Sequence, residues 1–150
     1  LMKKILLFIV FLLAFLIPAF IFKSDAGFYE SLSLPQFAPP KEVFSIWILL
    51  YILIAYVFAY VFSTYDKEVI NDFKQIAIVN YILNISFTPV FFEMQNYLLA
   101  MLIAIATFIT SVFLLYETYK LNKRLSILLI PYVLWTLLAS ILIIAVFIMN

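Results

Sequence analysis

Of the 150 residues, 68% are hydrophobic and only 11% charged, with a mean hydropathy of +1.21, whereas a soluble domain is about half apolar and about a quarter charged; the chain is read as an integral membrane protein. A formal net charge of +1, with no Lys/Arg-rich run and no RNA-reading motif, excludes nucleic acid as a partner. The absence of Cys and His excludes thiolate nucleophiles, disulfides, zinc centres, His-ligated haem and imidazole-dependent triads, and no metal or cofactor is expected.

Five apolar runs, about 5–22, 43–63, 75–92, 97–116 and 125–149, are separated by short charged clusters. A hydrocarbon core of about 30 Å needs about 20 helical residues at about 1.5 Å rise each, so every run can span as a helix. No segment outside them is long enough to fold by itself. The expected fold is therefore all-α, a single five-transmembrane-helix bundle over residues 1–150.

The first run, after Lys3 and Lys4, has the outline of a secretory signal ending at Ser24-Asp25-Ala26. It is longer than a signal core, and Lys23 and Asp25 make a poor cleavage region, so it is read as a retained span. In the loop over 23–42, Pro35, Pro39 and Pro40 restrict the backbone before a helix begins near Lys41 or Glu42, and proline at a helix start is preorganised for it. Phe28, Tyr29 and Phe37 are unusual in a polar linker. They suit a lid packed on a pocket, or anchors at the membrane interface.

In the second span Phe44, Trp47, Tyr51, Ala55 and Phe58 follow helical spacing and form one stripe. Asn80, Asn84, Phe87 and Phe91 do the same in the third, with Thr88 beside them and Pro89 shaping the turn into Glu93–Asn96. The fourth span carries a small-residue seam, Ala100, Ala104, Thr107 and Ser111, read as close helix packing or a dimer contact without chemistry. Leu114-x-Tyr116-x-x-x-Lys120 satisfies a proposed cholesterol-contact consensus that is common by chance, and nothing is built on it. In the fifth span Tyr132, Trp135, Ala139 and Leu142 form a third stripe. Pro18, Pro89 and Pro131 should each bend or break their span locally.

A single aromatic stripe fits ordinary packing better than a pocket. The two asparagines shift that balance. An amide in hydrocarbon must face protein or a polar ligand, and an interhelical hydrogen bond contributes only about 0.6 kcal/mol on average, so Asn84 is expected to serve a ligand more than the fold. No span interior holds an Asp, Glu, Lys or Arg, which argues against proton relays, voltage sensing and most ion-coupled transport. Recognition of something largely apolar remains. Lys3, Lys4, Lys67, Lys74, Lys120, Lys123 and Arg124 fall on one side of a five-span chain, and only Lys23 and Lys41 on the other. The bias predicts a cytoplasmic N-terminus and a C-terminus on the opposite side.

The chain resembles the TspO/translocator protein family, the tryptophan-rich sensory proteins. Phe28-Tyr29-x-x-Leu32-x-x-Pro35-x-Phe37-x-Pro39-Pro40 is similar to the family's first loop, Trp47-x-x-x-Tyr51 to its second helix, and Asn80-x-x-x-Asn84-x-x-Phe87 with Phe91-Phe92 to its third. Leu128-Leu129-x-Pro131-Tyr132-x-x-Trp135-x-x-x-Ala139 resembles its fifth. The resemblance implies a homodimeric bundle whose first loop covers a pocket for porphyrins such as protoporphyrin IX or other tetrapyrroles, and in some members for lipids, sterols or benzodiazepine-type ligands. Carried over to this chain, it points to Tyr29, Trp47, Asn84, Phe87, Trp135 and Ala139 as pocket residues, and Phe44, Tyr51 and Thr88 from the helical stripes complete the nine expected ligand-binding residues. Phe28 and Phe37 stand where the family commonly has Trp, and Ile143 where the fifth helix often has a polar residue. The sterol motif of mammalian members has no counterpart in Ile148-Met149-Asn150. Two function classes follow: a receptor or transport-type protein for porphyrin-like ligands, or an enzyme that degrades porphyrin with light and oxygen, in which Trp47 or Trp135 would be the redox-active, catalytic side chain.

Overall fold

A computed structural model describes residues 1–150, and it is a bundle of five long apolar helices without strands. The spans are α1 (Met2–Ile21), a 3₁₀ turn (Lys41–Ser45) leading into α3 (Ile46–Thr64), α4 (Asn71–Thr88), α5 (Tyr97–Leu121) and α7 (Ile130–Met149). Between α1 and α3 lies a short helix α2 (Ala26–Ser31), and a four-residue helix α6 (Lys123–Ser126) with a 3₁₀ turn (Ile127–Leu129) precedes α7. The third and fourth spans run further than their apolar runs, because residues 71–74 and 117–121 continue the helices into the polar interface.

Local chemistry sets the boundaries. The carboxylate of Asp25 accepts from Phe28 N at 3.0 Å, and the amide oxygens of Asn96 and Asn122 accept from Leu99 N and Leu125 N at 3.0 and 3.1 Å, satisfying amides that have no helical partner. Pro40 sits just before the 3₁₀ turn, so the second span starts where its prolines predict. Pro131 breaks the last span: the chain runs through α6 and the 3₁₀ turn, and regular helix resumes with proline in its first turn. Pro89 lacks an N–H, and the ladder slips to wider spacing over Pro89–Glu93, where Met94 N bonds Pro89 O at 3.0 Å. That π turn buries Phe91 and Phe92.

Two cores stack along the bundle. One, around Phe15, Leu50, Ile54, Phe58, Phe73 and Tyr132, fills the half nearer the N-terminus; the other, around Tyr29, Phe91, Ala100, Ala104, Leu142 and Val146, lies under the first loop. The small residues of α5 let its neighbours approach closely. Ser140 Oγ donates to Ala104 O at 2.9 Å, Ser111 and Thr136 hydroxyls lie 3.0 Å apart, and Asn80 Nδ2 reaches Thr107 O at 3.2 Å. The seam is thus consumed between α4, α5 and α7, and Ser111 is 0% exposed, so it offers nothing to a second copy. Leu114 is likewise fully buried while Tyr116 is exposed, which splits the cholesterol-type pattern between two faces. The outermost helix is α1, whose one buried residue is Phe15.

Candidate functional site

A cavity of about 310 Å³ lies between the two cores, beneath the first loop. Tyr29 from α2, Phe44 from the 3₁₀ turn, and Trp47 and Tyr51 from α3 form one side. Asn84, Phe87 and Thr88 from α4 and Trp135 and Ala139 from α7 complete the nine residues expected at a ligand site, and all nine line this one cavity. The helical stripes explain the convergence. Each stripe runs off the cavity into the core below it: Ala55 and Phe58 on α3, Asn80 on α4 and Tyr132 on α7 are buried and do not line it.

The aromatic walls combine edge-to-face, tilted and stacked contacts. Trp47 and Trp135 stand at 88° with ring centroids 6.2 Å apart, and Trp47 also meets Tyr51 at 5.6 Å and Tyr132 at 6.3 Å. The Trp47–Trp135 and Trp47–Tyr132 pairs are T-shaped, which uses the ring quadrupoles favourably, and Trp47–Tyr51 is tilted. Tyr29 packs edge-on to Phe44 at 4.8 Å, and Phe87 stacks on Phe91 at 5.5 Å.

A polar chain runs through the wall. Tyr51 Oη donates to Asn84 Oδ1 at 3.1 Å, Asn84 Nδ2 to Tyr132 Oη at 3.0 Å, and Tyr132 Oη to Asn80 Oδ1 at 2.8 Å; Asn80 Nδ2 then donates to Thr110 Oγ1 at 2.8 Å. Both halves of the Asn84 amide therefore have protein partners, giving it the structural part that its sequence context placed second. One polar atom is left over. Trp135 Nε1 is buried and has no acceptor, a rare condition for a buried donor. No Asp, Glu, Lys or Arg lines the cavity.

The first loop forms the roof. Tyr29 is 3% exposed, and its hydroxyl donates to Pro39 O at 2.8 Å, with burial pushing the phenol above its ordinary range. Glu30 pairs with Lys41 at 2.9 Å. The Asn150 side chain accepts from Ser33 N at 3.0 Å and donates to Ser33 O at 2.9 Å, tying the loop to the end of α7. Of the three loop aromatics only Tyr29 lines the cavity. Phe28 packs outside it, on Phe91, Phe92 and Tyr97, and Phe37 is exposed.

Several wall residues were not legible beforehand. Phe15, Leu16, Pro18 and Ala19 bring α1 into the site, although an evenly apolar helix signals no preferred face. Ala104 and Thr107, members of the packing seam, also reach the wall, as does Ile143.

A sequence profile of the TspO/MBR family matches residues 5–149. The chain belongs to the TspO/MBR family. Its relatives include the uncharacterized membrane protein YtaB of Bacillus subtilis, 31% identical over 144 residues that cover 93% of both chains. A tryptophan-rich protein TspO of Bacillus cereus is 31% identical over 142 residues, covering 93% of this chain and 92% of its own. A protein of the same name from Chlorobaculum tepidum is 28% identical over 120 residues, covering 79% and 76%. TspO/MBR membership and five apolar helices make this an integral, multi-pass membrane protein, and the family supports a receptor- or transport-type role.

Proposed function

We propose that the cavity binds porphyrin-like tetrapyrroles, and that the protein serves as their membrane receptor or carrier. The observation that carries this reading is the pair of indoles, Trp47 and Trp135, set edge to face in an uncharged apolar cavity. A wall built largely of aromatic rings favours a flat conjugated ligand. A volume of about 310 Å³ is near the lower end of the roughly 300–1,000 Å³ of small-molecule sites, so a macrocycle requires the walls or the roof to yield. Lipid, sterol or benzodiazepine-type ligands compete for the same apolar volume. The functional unit in this reading is a homodimer.

The second reading, favoured by the contact between the two indoles, is light- and oxygen-dependent degradation of bound porphyrin, in which oxygen is the oxidant of the macrocycle and Trp135 or Trp47 the redox-active side chain beside it. One titration series tests both. Adding protoporphyrin in the dark should quench nearly all intrinsic tryptophan emission, since both indoles line one site and the chain has only two. Saturation near half the signal would put one indole outside the site. Under illumination, Trp135→Phe should retain most of the binding and lose turnover. Equal degradation rates in parent and variant would remove the catalytic role from Trp135.

A further inference from the structure

Pro18 lies inside α1 and has no N–H, so the carbonyl four residues earlier, Ala14 O, loses its helical partner. That carbonyl is not left bare. Tyr81 Oη, from α4, donates to Ala14 O at 2.6 Å. The Tyr81 ring also meets Phe15 edge-on at 5.1 Å, and Phe15 stacks on Tyr51 at 5.1 Å. Nearer the N-terminus, Phe11 packs on Phe58 and Phe62 at 5.5 and 5.4 Å, and Lys4 sits 4.5 Å over the Tyr60 ring. The stretch from Lys4 to Phe15 is therefore pinned by rings and by one hydrogen bond at the proline break.

Beyond that break the helix is held differently. Residues 16–24 make no side-chain hydrogen bond, ion pair or ring pair with any other helix, yet Leu16, Pro18, Ala19 and Phe20 are cavity wall. The wall residues that are also exposed are confined to two places: Ala19, Phe20 and Ser24 at the end of α1, and Ser45 and Ile48 at the start of α3. Phe20 and Ile48, at 68% and 54% exposure, lie within the spans Met2–Ile21 and Lys41–Thr64. The mouth of the cavity is thus flanked by apolar residues within two membrane-spanning helices, while the Tyr29, Glu30 and Asn150 contacts fasten the roof.

We propose that the cavity exchanges its ligand sideways with the bilayer, through a portal between the end of α1 and the start of α3, and that the segment after Pro18 is its gate, with Tyr81 as the positioning residue that fixes the hinge. A helix that has lost one backbone bond bends there most readily, and a hydroxyl on the freed carbonyl restrains the bend. The ligand class this selects is apolar and bilayer-partitioned. The inference rests on the cavity being a ligand site, and the test separates the two ideas.

The chain has no native Cys, so Phe20→Cys with Ile48→Cys can be tied in bilayer vesicles by a bis-maleimide carrying a cleavable disulfide. Protoporphyrin association, followed by tryptophan quenching, should slow at least about tenfold when the pair is tied, because access scales with the open fraction, and recover on reduction. Tyr81→Phe, which keeps the ring and removes only the hydroxyl, should speed association and dissociation together by about threefold with little change in affinity, as expected of a gate. If the tied protein takes up porphyrin as fast as the reduced one, the portal lies elsewhere; if Tyr81→Phe leaves both rates unchanged, Tyr81 is not the hinge pin. If no form binds porphyrin, the functional reading fails and the portal is judged by brominated phospholipids, which should quench the indoles less in the tied protein than in the reduced one. Equal quenching would overturn it.

Discussion

Asn84 stands at the point where the cavity and the framework of the bundle share an atom group. Replacing it with leucine leaves the Tyr51 hydroxyl without its acceptor and Tyr132 without a donor, in a setting where each lost partner costs about 1–3 kcal/mol. Asn84→Leu should therefore lower the denaturation midpoint in detergent as well as weaken porphyrin binding. Tyr51→Phe should cost much less in that background than in the parent, since the two side chains share one bond. Strict additivity of the two substitutions would disconnect them. The aromatic and amide residues of this wall were readable from helical spacing, which identifies a face. Depth along the face was not, and so Asn80 and Tyr132, on the same stripes as Asn84 and Trp135, turn out to be framework.

At the scale of elements, the first loop owes its order to a few polar contacts on a proline-stiffened backbone. Tyr29 is the most telling of them. Burial holds its folded-state ionisation above the usual tyrosine value of about 10, so the unfolded phenol ionises first as pH rises. The neutral donor to Pro39 O contributes its full stability below about pH 10 and loses it as the pH climbs toward the raised folded value. The melting difference between the parent and Tyr29→Phe should stay level from neutral pH to about 9 and shrink above about 10, whereas the neighbouring Glu30–Lys41 pair is common to both proteins and cancels. A difference that persists undiminished beyond about pH 11 would mean that this hydroxyl is not what closes the loop. Prolines made the loop and the helix starts legible. They did not reveal that Pro89 opens a π turn or that Pro18 hands a carbonyl to another helix, because both outcomes depend on neighbours remote in sequence.

For the whole molecule, the distribution of charge predicts that the N-terminus and residues 64–74 face the cytoplasm while residues 23–42 do not. External single-cysteine labelling in intact cells should mark Ser33→Cys and spare Lys67→Cys. The reverse pattern would invert the bundle. Five spans and their order were legible because length and apolarity alone dictate crossing, and the family through the resemblance of its loop and helix motifs. The cavity's floor and its α1 wall were not, because packing among uniformly apolar helices is decided by shape.

The polar chain from Tyr51 to Thr110 has a bearing on how the protein is made. Of the five spans, α4 is the least apolar, and its two mid-helix amides find their partners on α3, α5 and α7. During synthesis, Asn80 gains Thr110 only once the fourth span has emerged, and Asn84 gains Tyr132 only with the fifth. Until then α4 carries unsatisfied amides in hydrocarbon, where they are costly. The third span to be translated is thus the last to be secured in the bilayer, and a ribosome stalled ahead of Tyr132 leaves a nascent chain whose weakest insertion lies at its middle.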